Sequence, residues 1–278
     1  MFLPFHADTP TARVAWVNYA LIAANGIVFV WLLQLTPQQY QSVTLHHGFI
    51  PARIGQLVDP RVITIFQDEP ARLPDGRFVV DQQKRQIFVR RKIADLPPDR
   101  GAIVLSLLTC MFLHGGLWHV LSNMWFLWIF GNHVEGRLSH VPYLLFYLVG
   151  GLSGSACHWL IDPSSTTPVI GASGAVAAVL GGYAITWPWA RVHTVVWLVV
   201  FITVIDVPAL GVLGVWFLIQ LIQAHGQLGL NVAGGVAWWA HVGGFVAGMV
   251  LMPALSFLLS VNRSSGPPDS PNQYAPNP

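Results

Sequence analysis

Charge is what this 278-residue chain has least of: only 9% of its residues are Asp, Glu, Lys or Arg, against roughly 25% in a soluble domain. The few charges are also bunched. Residues 53–100 hold ten of the fourteen Lys/Arg and seven of the twelve Asp/Glu, leaving nine formal charges for the other 230 residues. A water-soluble globule and a disordered chain are both excluded by that distribution. The net charge of +2 supplies no broad basic field, so a nucleic-acid partner is not expected. Two cysteines, Cys110 and Cys157, make no disulfide framework. The first thirteen residues carry no cluster of positive charge. The apolar stretch after them, Val14–Leu35, is too long for a signal-peptide core and lacks a small-residue cleavage pattern. It reads as a retained first span.

What the chain does have is apolar length. A helix needs about 20 apolar residues to cross a bilayer, and further spans are read at about 116–130, 141–161, 169–187, 209–224 and 238–260. The expectation is an all-α polytopic membrane protein. Residues 1–13 form its N-terminus, 14–35 the first span, 36–115 a long charged loop, 116–260 a core of spans, and 261–278 a Pro/Ser/Asn tail that reads as disordered. Within the loop, Pro74-Asp75-Gly76 is a turn signal, and Arg77–Val80 and Gln86–Val89 suggest a small hairpin. Ile103–Leu113 is too short to cross and reads as an interfacial lead-in.

Four basic residues lie outside the charged cluster: Arg13, Arg137, Arg191 and Arg263. A cytoplasmic N-terminus places all four inside, while the short outer loops around 162–168 and 225–237 carry no Lys or Arg. That fits the positive-inside rule, which counts short loops and is weak for long ones. A bacterial inner membrane is the expected setting.

Polar side chains inside spans each ask for an explanation. The second span carries His119 and Asn123, one turn apart on a single face, with His114 before it. The fourth opens with Gly171-Ala172-Ser173-Gly174, the last with Ala240-His241-Val242-Gly243-Gly244. Singly, each has a structural reading. Ser173 can be a small residue permitting close helix approach, Asn123 a cross-bundle hydrogen-bonder and His241 an interfacial histidine. His114 reads as structural, and Glu135 with Arg137 as a local ion pair or a positive-inside anchor.

Together they form a chemical set. A serine needs a base, and His is the usual one near neutral pH. Free backbone N–H groups at a helix start, around Ala172, Ser173 and Gly174, can face an oxyanion, with Asn123 and His119 adding side-chain donors. No acidic residue lies in these three spans, so a Ser173–His241 pair without a carboxylate is what remains. The two meet only if their helices run parallel, which requires one crossing between them. That crossing is assigned to Ala209–Ala224, and Val192–Ile205 becomes an interfacial or partly inserted segment. Ser173, Ala177 and Gly181 line one face, and Gly244 and Gly248 form a GxxxG pair below His241, so the backbones can approach closely.

With these motifs in order, together with Gly48–Arg53 after the first span, the chain resembles the rhomboid intramembrane serine proteases. The resemblance covers the first span, that stretch and nearly everything from Phe112 to Met252. It implies a six-transmembrane-helix bundle with Ser173 as nucleophile and His241 as general base, and with His119, Asn123 and the backbone around Ser173 at the oxyanion. His114, Glu135, Arg137, Gly171, Gly244 and Gly248 fall on its structural positions. Peptide bonds of single-pass or other membrane-anchored proteins would be cut in or near the bilayer, without metal or cofactor. The chain departs from the pattern twice. Some members carry an aromatic residue four positions after the serine, where this chain has Ala177; the ring would then be held by another aromatic, or Ala177 permits tighter packing. The Trp-Arg pair of some first loops is also missing, since this loop contains no Trp. An inactive relative that binds transmembrane clients would lack the serine or histidine. A transporter would spread its polar residues through the bilayer depth.

Overall fold

The structure, a computed structural model, describes residues 2–9, 13–81, 83–198, 201–227 and 236–264. Strand β1 (Phe2–Ala7) precedes helix α1 (Trp16–Leu32). Helix α2 (Pro37–His47) starts at a reciprocal cap: the Thr36 hydroxyl accepts from the Gln39 N–H while the Gln39 amide accepts from the Thr36 N–H. Strands β2 (Ile63–Pro70) and β3 (Phe88–Leu96) follow, then α3 (Arg100–Thr109). Next come α4 (Leu117–Phe126), one π turn at Leu127–Gly131, α5 (Asn132–Leu138), α6 (His140–Ile161) and α7 (Ser173–Thr186). Strands β4 (Arg191–Leu198) and β5 (Phe201–Pro208) lead into α8 (Ala209–Gln227), and α9 (Trp238–Ser264) ends the described chain.

Among the described residues, three helices are long and apolar enough to cross a membrane: His140–Ile161, Ala209–Gly226 and Trp238–Ser260. A fourth is counted if the Arg100–Phe112 and Leu117–Leu138 segments, bent by 80° at their junction, act as one span. Helices α1 and α7 are apolar but have 17 and 14 residues. The molecule is a mostly helical, polytopic membrane bundle.

Helix α7 is its axis. Every residue from Gly174 to Ala184 is buried, which explains an apolar sequence with no polar stripe. Its packing against α9 is backbone on backbone. A Cβ on Gly244 would collide with the Gly174 carbonyl, one on Gly248 with that of Ala178, and one on Gly181 with that of Phe245. Gly174 meets Gly244, Ala178 meets Gly248, and Gly182 lies against Met252. These pairs climb both helices in one direction, so α7 and α9 run parallel, with α8 as the helix between them in sequence. Helix α6 joins the seam through Gly150 against Ala178 and Gly154 against the Ala240 carbonyl.

Two small sheets qualify the all-α expectation. In the first, ordered β1-β4-β5, Phe2 pairs with Val196 and Ala7 with Val192, while β4 pairs with β5 from Arg191↔Pro208 to Leu198↔Phe201. The segment read as interfacial or inserted is therefore a β-hairpin. Its β-branched run, Val192-His193-Thr194-Val195-Val196, suits a pleated surface better than a helix. The sheet lies beside the C-terminal end of α7: the Thr9 hydroxyl and the Tyr183 hydroxyl are 2.7 Å apart, and the Trp125 indole donates to the Pro4 carbonyl. Ser173 is at the opposite end.

The second sheet is the ribbon β2-β3, running from Ile63↔Leu96 to Pro70↔Phe88. The Pro74–Gly76 turn is present, with Gly76 at φ +85°. The run Arg77–Val80, however, contributes isolated bridges to Arg72 and Gln86, and the long partner of β3 lies upstream of the turn. A second turn at Asp81–Arg85 folds the chain again before β3. The tail read as disordered from 261 begins inside α9, and its residues 265–278 lie outside the described residues, as do 228–235 of the expected outer loop.

Candidate active site

The approach to Ser173 is built from three directions. Phe49 and Val169 exchange backbone hydrogen bonds of 3.0 and 2.7 Å, joining the Gly48–Arg53 stretch to the segment before α7. The Gly171 N–H donates to the Cys110 carbonyl at 2.8 Å, and the Ala172 N–H to His114 Nε2 at 3.4 Å. Gly171 has φ +123°, and a Cβ there would come within 2.6 Å of His119 Nε2. Both backbone conformation and space therefore demand glycine. The chain then enters α7 with Ser173 as its first residue.

Across the seam, Ser173 Oγ lies 2.8 Å from His241 Nε2, although the residues are 68 positions apart. On the other side of the ring, His241 Nδ1 is 2.7 Å from Gln220 Oε1 on α8. The Gln220 amide nitrogen donates to the Trp216 carbonyl at 3.3 Å, which turns its oxygen toward the histidine. An amide oxygen only accepts, so Nδ1 carries the proton and Nε2 presents its lone pair to the serine hydroxyl. His241 is 7% exposed and Gln220 5%. The Trp216 ring stacks on the imidazole at 6.1 Å and 29°, and Trp238 meets it edge-on at 5.7 Å.

Candidate oxyanion donors sit around this pair. The Ser173 and Gly174 N–H groups, at the start of α7, have no carbonyl one turn back to bond. Asn123 is buried, and its amide donates to the His119 carbonyl at 2.9 Å, leaving a second N–H for a ligand. The His119 ring meets His114 edge-on at 5.0 Å. The Ala172 N–H, by contrast, is taken by His114, so Ala172 supports the turn and has no donor to offer an oxyanion.

Glu135 and Arg137 do not pair. Both lie on α5 rather than in a loop, and buried Glu135 accepts from the N–H groups of Val17 (3.0 Å) and Asn18 (2.6 Å) at the start of α1 and from His140 Nδ1 at 2.5 Å. A carboxylate at a helix start satisfies orphan donors and complements the dipole, and that determines where the acid goes. Asn18 extends this knot: its amide donates to the Leu127 carbonyl in the π turn and to Asn132 Oδ1, while its oxygen accepts from the Tyr143 hydroxyl. Gly131 has to be glycine here, because a Cβ would strike the Asn18 side chain.

Sequence reasoning missed Gln220, Trp216 and Trp238. The signal for Gln220 was present, since it is a polar residue inside the apolar run Trp216-Phe217-Leu218-Ile219-Gln220-Leu221-Ile222. The aromatic support sought at Ala177 comes instead from α8 and the start of α9. Ala177 itself lies 3.3 Å from where a Gly244 Cβ would be, so its small size serves the seam.

The family model described as Rhomboid domain matches residues 102–257. The chain is 32% identical over 256 residues to RHOMBOID-like protein 7 of Arabidopsis thaliana, covering 89% of this chain and 67% of that protein. It is 32% identical over 181 residues to RHOMBOID-like protein 4 of the same plant, covering 60% of this chain and 39% of the relative. To the Rhomboid protease GluP of Bacillus subtilis (strain 168) it is 39% identical over 75 residues, 27% of this chain and 14% of that protein. The chain thus spans well under half the length of two of these three relatives.

Proposed function

The chain belongs to the rhomboid family, and from that premise we propose that it is an intramembrane serine endopeptidase acting on membrane-anchored proteins. The observation that carries the reading is the 2.8 Å contact between Ser173 Oγ and His241 Nε2, beside free N–H groups at the start of α7. Ser173 Oγ attacks the scissile carbonyl and its proton passes to His241 Nε2. The oxygen that becomes negative is held by the Ser173 and Gly174 N–H groups and by Asn123, with His119 beside them. The intermediate collapses, the C–N bond breaks, and the imidazolium returns the proton to the leaving amine. Water, deprotonated by His241, then hydrolyses the acyl ester and frees the serine.

In this reading α1, the continuous α4–α5 segment Leu117–Leu138, α6, α7, α8 and α9 are six spans. A 14-residue helix is about 21 Å long, short of the roughly 30 Å hydrocarbon, so Ser173 is sunk beneath the outer surface. A substrate helix hides its carbonyls in its own hydrogen bonds, so local unwinding precedes attack. The N-terminus is cytoplasmic, on the side of β1 and Arg191. Plant relatives give a bacterial inner membrane no special support, and the mechanism does not need that setting.

Purified protein in liposomes should cleave a single-span test substrate and take up a fluorophosphonate label at Ser173. Ser173→Ala and His241→Ala should each abolish cleavage. Asn123→Ala should slow it roughly 100-fold without eliminating it, because the backbone donors remain. Labelling that persists in Ser173→Ala would overturn the assignment.

A further inference from the structure

We propose that Gln220 is a positioning residue for His241, a neutral third member of the site that holds the imidazole in the tautomer able to accept the serine proton. The proposal rests on the protease reading above and deepens it. Three observations across the α8–α9 contact converge. The Gln220 oxygen faces His241 Nδ1 at 2.7 Å, its nitrogen is anchored on the Trp216 carbonyl, and the Trp216 ring lies over the imidazole. A glutamine placed for packing alone would have no need to direct its oxygen at the histidine. In this buried place an unpartnered amide would also be costly.

The role follows from the chemistry of a neutral imidazole. One ring nitrogen carries a proton and the other a lone pair, and the partner of the first decides which is which. With Gln220 accepting from Nδ1–H, the lone pair is on Nε2, where Ser173 needs it. When Nε2 takes the serine proton, the amide oxygen stays hydrogen-bonded to Nδ1–H and faces the positive ring. Serine hydrolases with a carboxylate at this position use it in the same way, to orient the ring and stabilise its cation. No carboxylate makes a hydrogen bond or ion pair with His241 among the described residues; His119 on α4 and His158 on α6 are the neighbouring titratable groups. An uncharged acceptor does this without placing a second ion in hydrocarbon.

The test compares wild type with Gln220→Met, which keeps the volume and removes the acceptor, and Gln220→Glu, which keeps a carboxyl oxygen in reach of Nδ1. In liposomes, Gln220→Met should lower kcat roughly 10–100-fold with KM for the test substrate unchanged, and Gln220→Glu should recover at least half of that loss on a logarithmic scale. Histidine 15N NMR of the wild type in detergent should show His241 protonated at Nδ1, and Gln220→Met should shift it toward the Nε2-protonated form. The tautomer readout does not depend on turnover. An inactive, unlabelled wild type with the Nδ1–H tautomer would sink the protease reading and leave the positioning intact. An active wild type whose His241 is protonated at Nε2, or a folded Gln220→Met with unchanged kcat, would sink the positioning alone.

Discussion

The α7–α9 seam and the β2-β3 ribbon are held together in opposite ways. In the seam, carbonyls of one helix rest where a Cβ of the other would be, at Gly174–Gly244 and Ala178–Gly248. No side chain stands between the backbones, so nothing can yield. In the ribbon, most side chains from Phe66 to Arg91 are exposed, and the charges answer one another across short distances: Arg91 to Glu69, Lys92 to Asp95, Arg77 to Asp75 and Arg85 to Asp81. Such exposed pairs contribute little each. The seam carries Ser173 and His241, whose mutual distance matters for the proposed chemistry, and the ribbon carries charge on a structure that tolerates change. The first kind of packing is the one that holds the Ser173 hydroxyl and the His241 imidazole at 2.8 Å.

The sharpest way to break this contrast is Gly248→Val. It forces a branched side chain onto the Ala178 backbone and should cost about 3 kcal/mol or more, read as loss of the folded protein in detergent and loss of fluorophosphonate labelling. An unchanged melting temperature would show that the helices can separate cheaply. Next comes Glu135→Gln, which removes the charge accepting from Val17, Asn18 and His140. It should destabilise by roughly 2 kcal/mol, read by denaturation, with kcat in the folded fraction unaltered because the knot lies at the far end of the bundle from Ser173. On the ribbon side, Arg91→Ala should cost about 0.5 kcal/mol or less and leave cleavage unchanged; a loss comparable to that of Glu135→Gln would erase the distinction.

The smallest effect belongs to the first sheet. Hydrogen bonds to Asp8 and then to Asp206 hold the His193 imidazole above its ordinary value of 6.5, with the His6 ring stacked on it. The folded value being raised, this contribution is complete below the unfolded value near 6.5 and is lost as pH rises through the folded one. Docking of β1 should therefore loosen on going from mildly acid to alkaline pH. Hydrogen exchange at the β1 amides would report it, and His193→Gln should flatten the dependence.

Much of the fold was legible because the hydrocarbon leaves few options. Long apolar runs became helices, and a serine and a histidine at the starts of two spans required those helices to be parallel. Gly244 and Gly248 marked the contact face. Val192–Ile205 was hidden because an apolar β-branched run of that length fits a strand or a helix piece equally well, and only its pairing with Phe2–Ala7 decides. Glu135 was misassigned to Arg137 because proximity in sequence suggested an ion pair. The helix start at Val17 and Asn18, nearly 120 residues away, offered two backbone donors. Gln220 escaped notice because one amide in an apolar helix has no meaning until its neighbour across the bundle is known.

By itself, then, the sequence determined that this chain belongs in a membrane, which polar groups have to be sheltered there, and which faces are small enough for helices to touch. These are properties of composition and spacing, and water and lipid read them directly. Only the tertiary structure decided which oxygen faces which nitrogen: Ser173 to His241, His241 to Gln220, Glu135 to the start of α1. Hydrogen bonds act over about 3 Å, and no periodicity along a chain specifies a distance that short between residues dozens of positions apart.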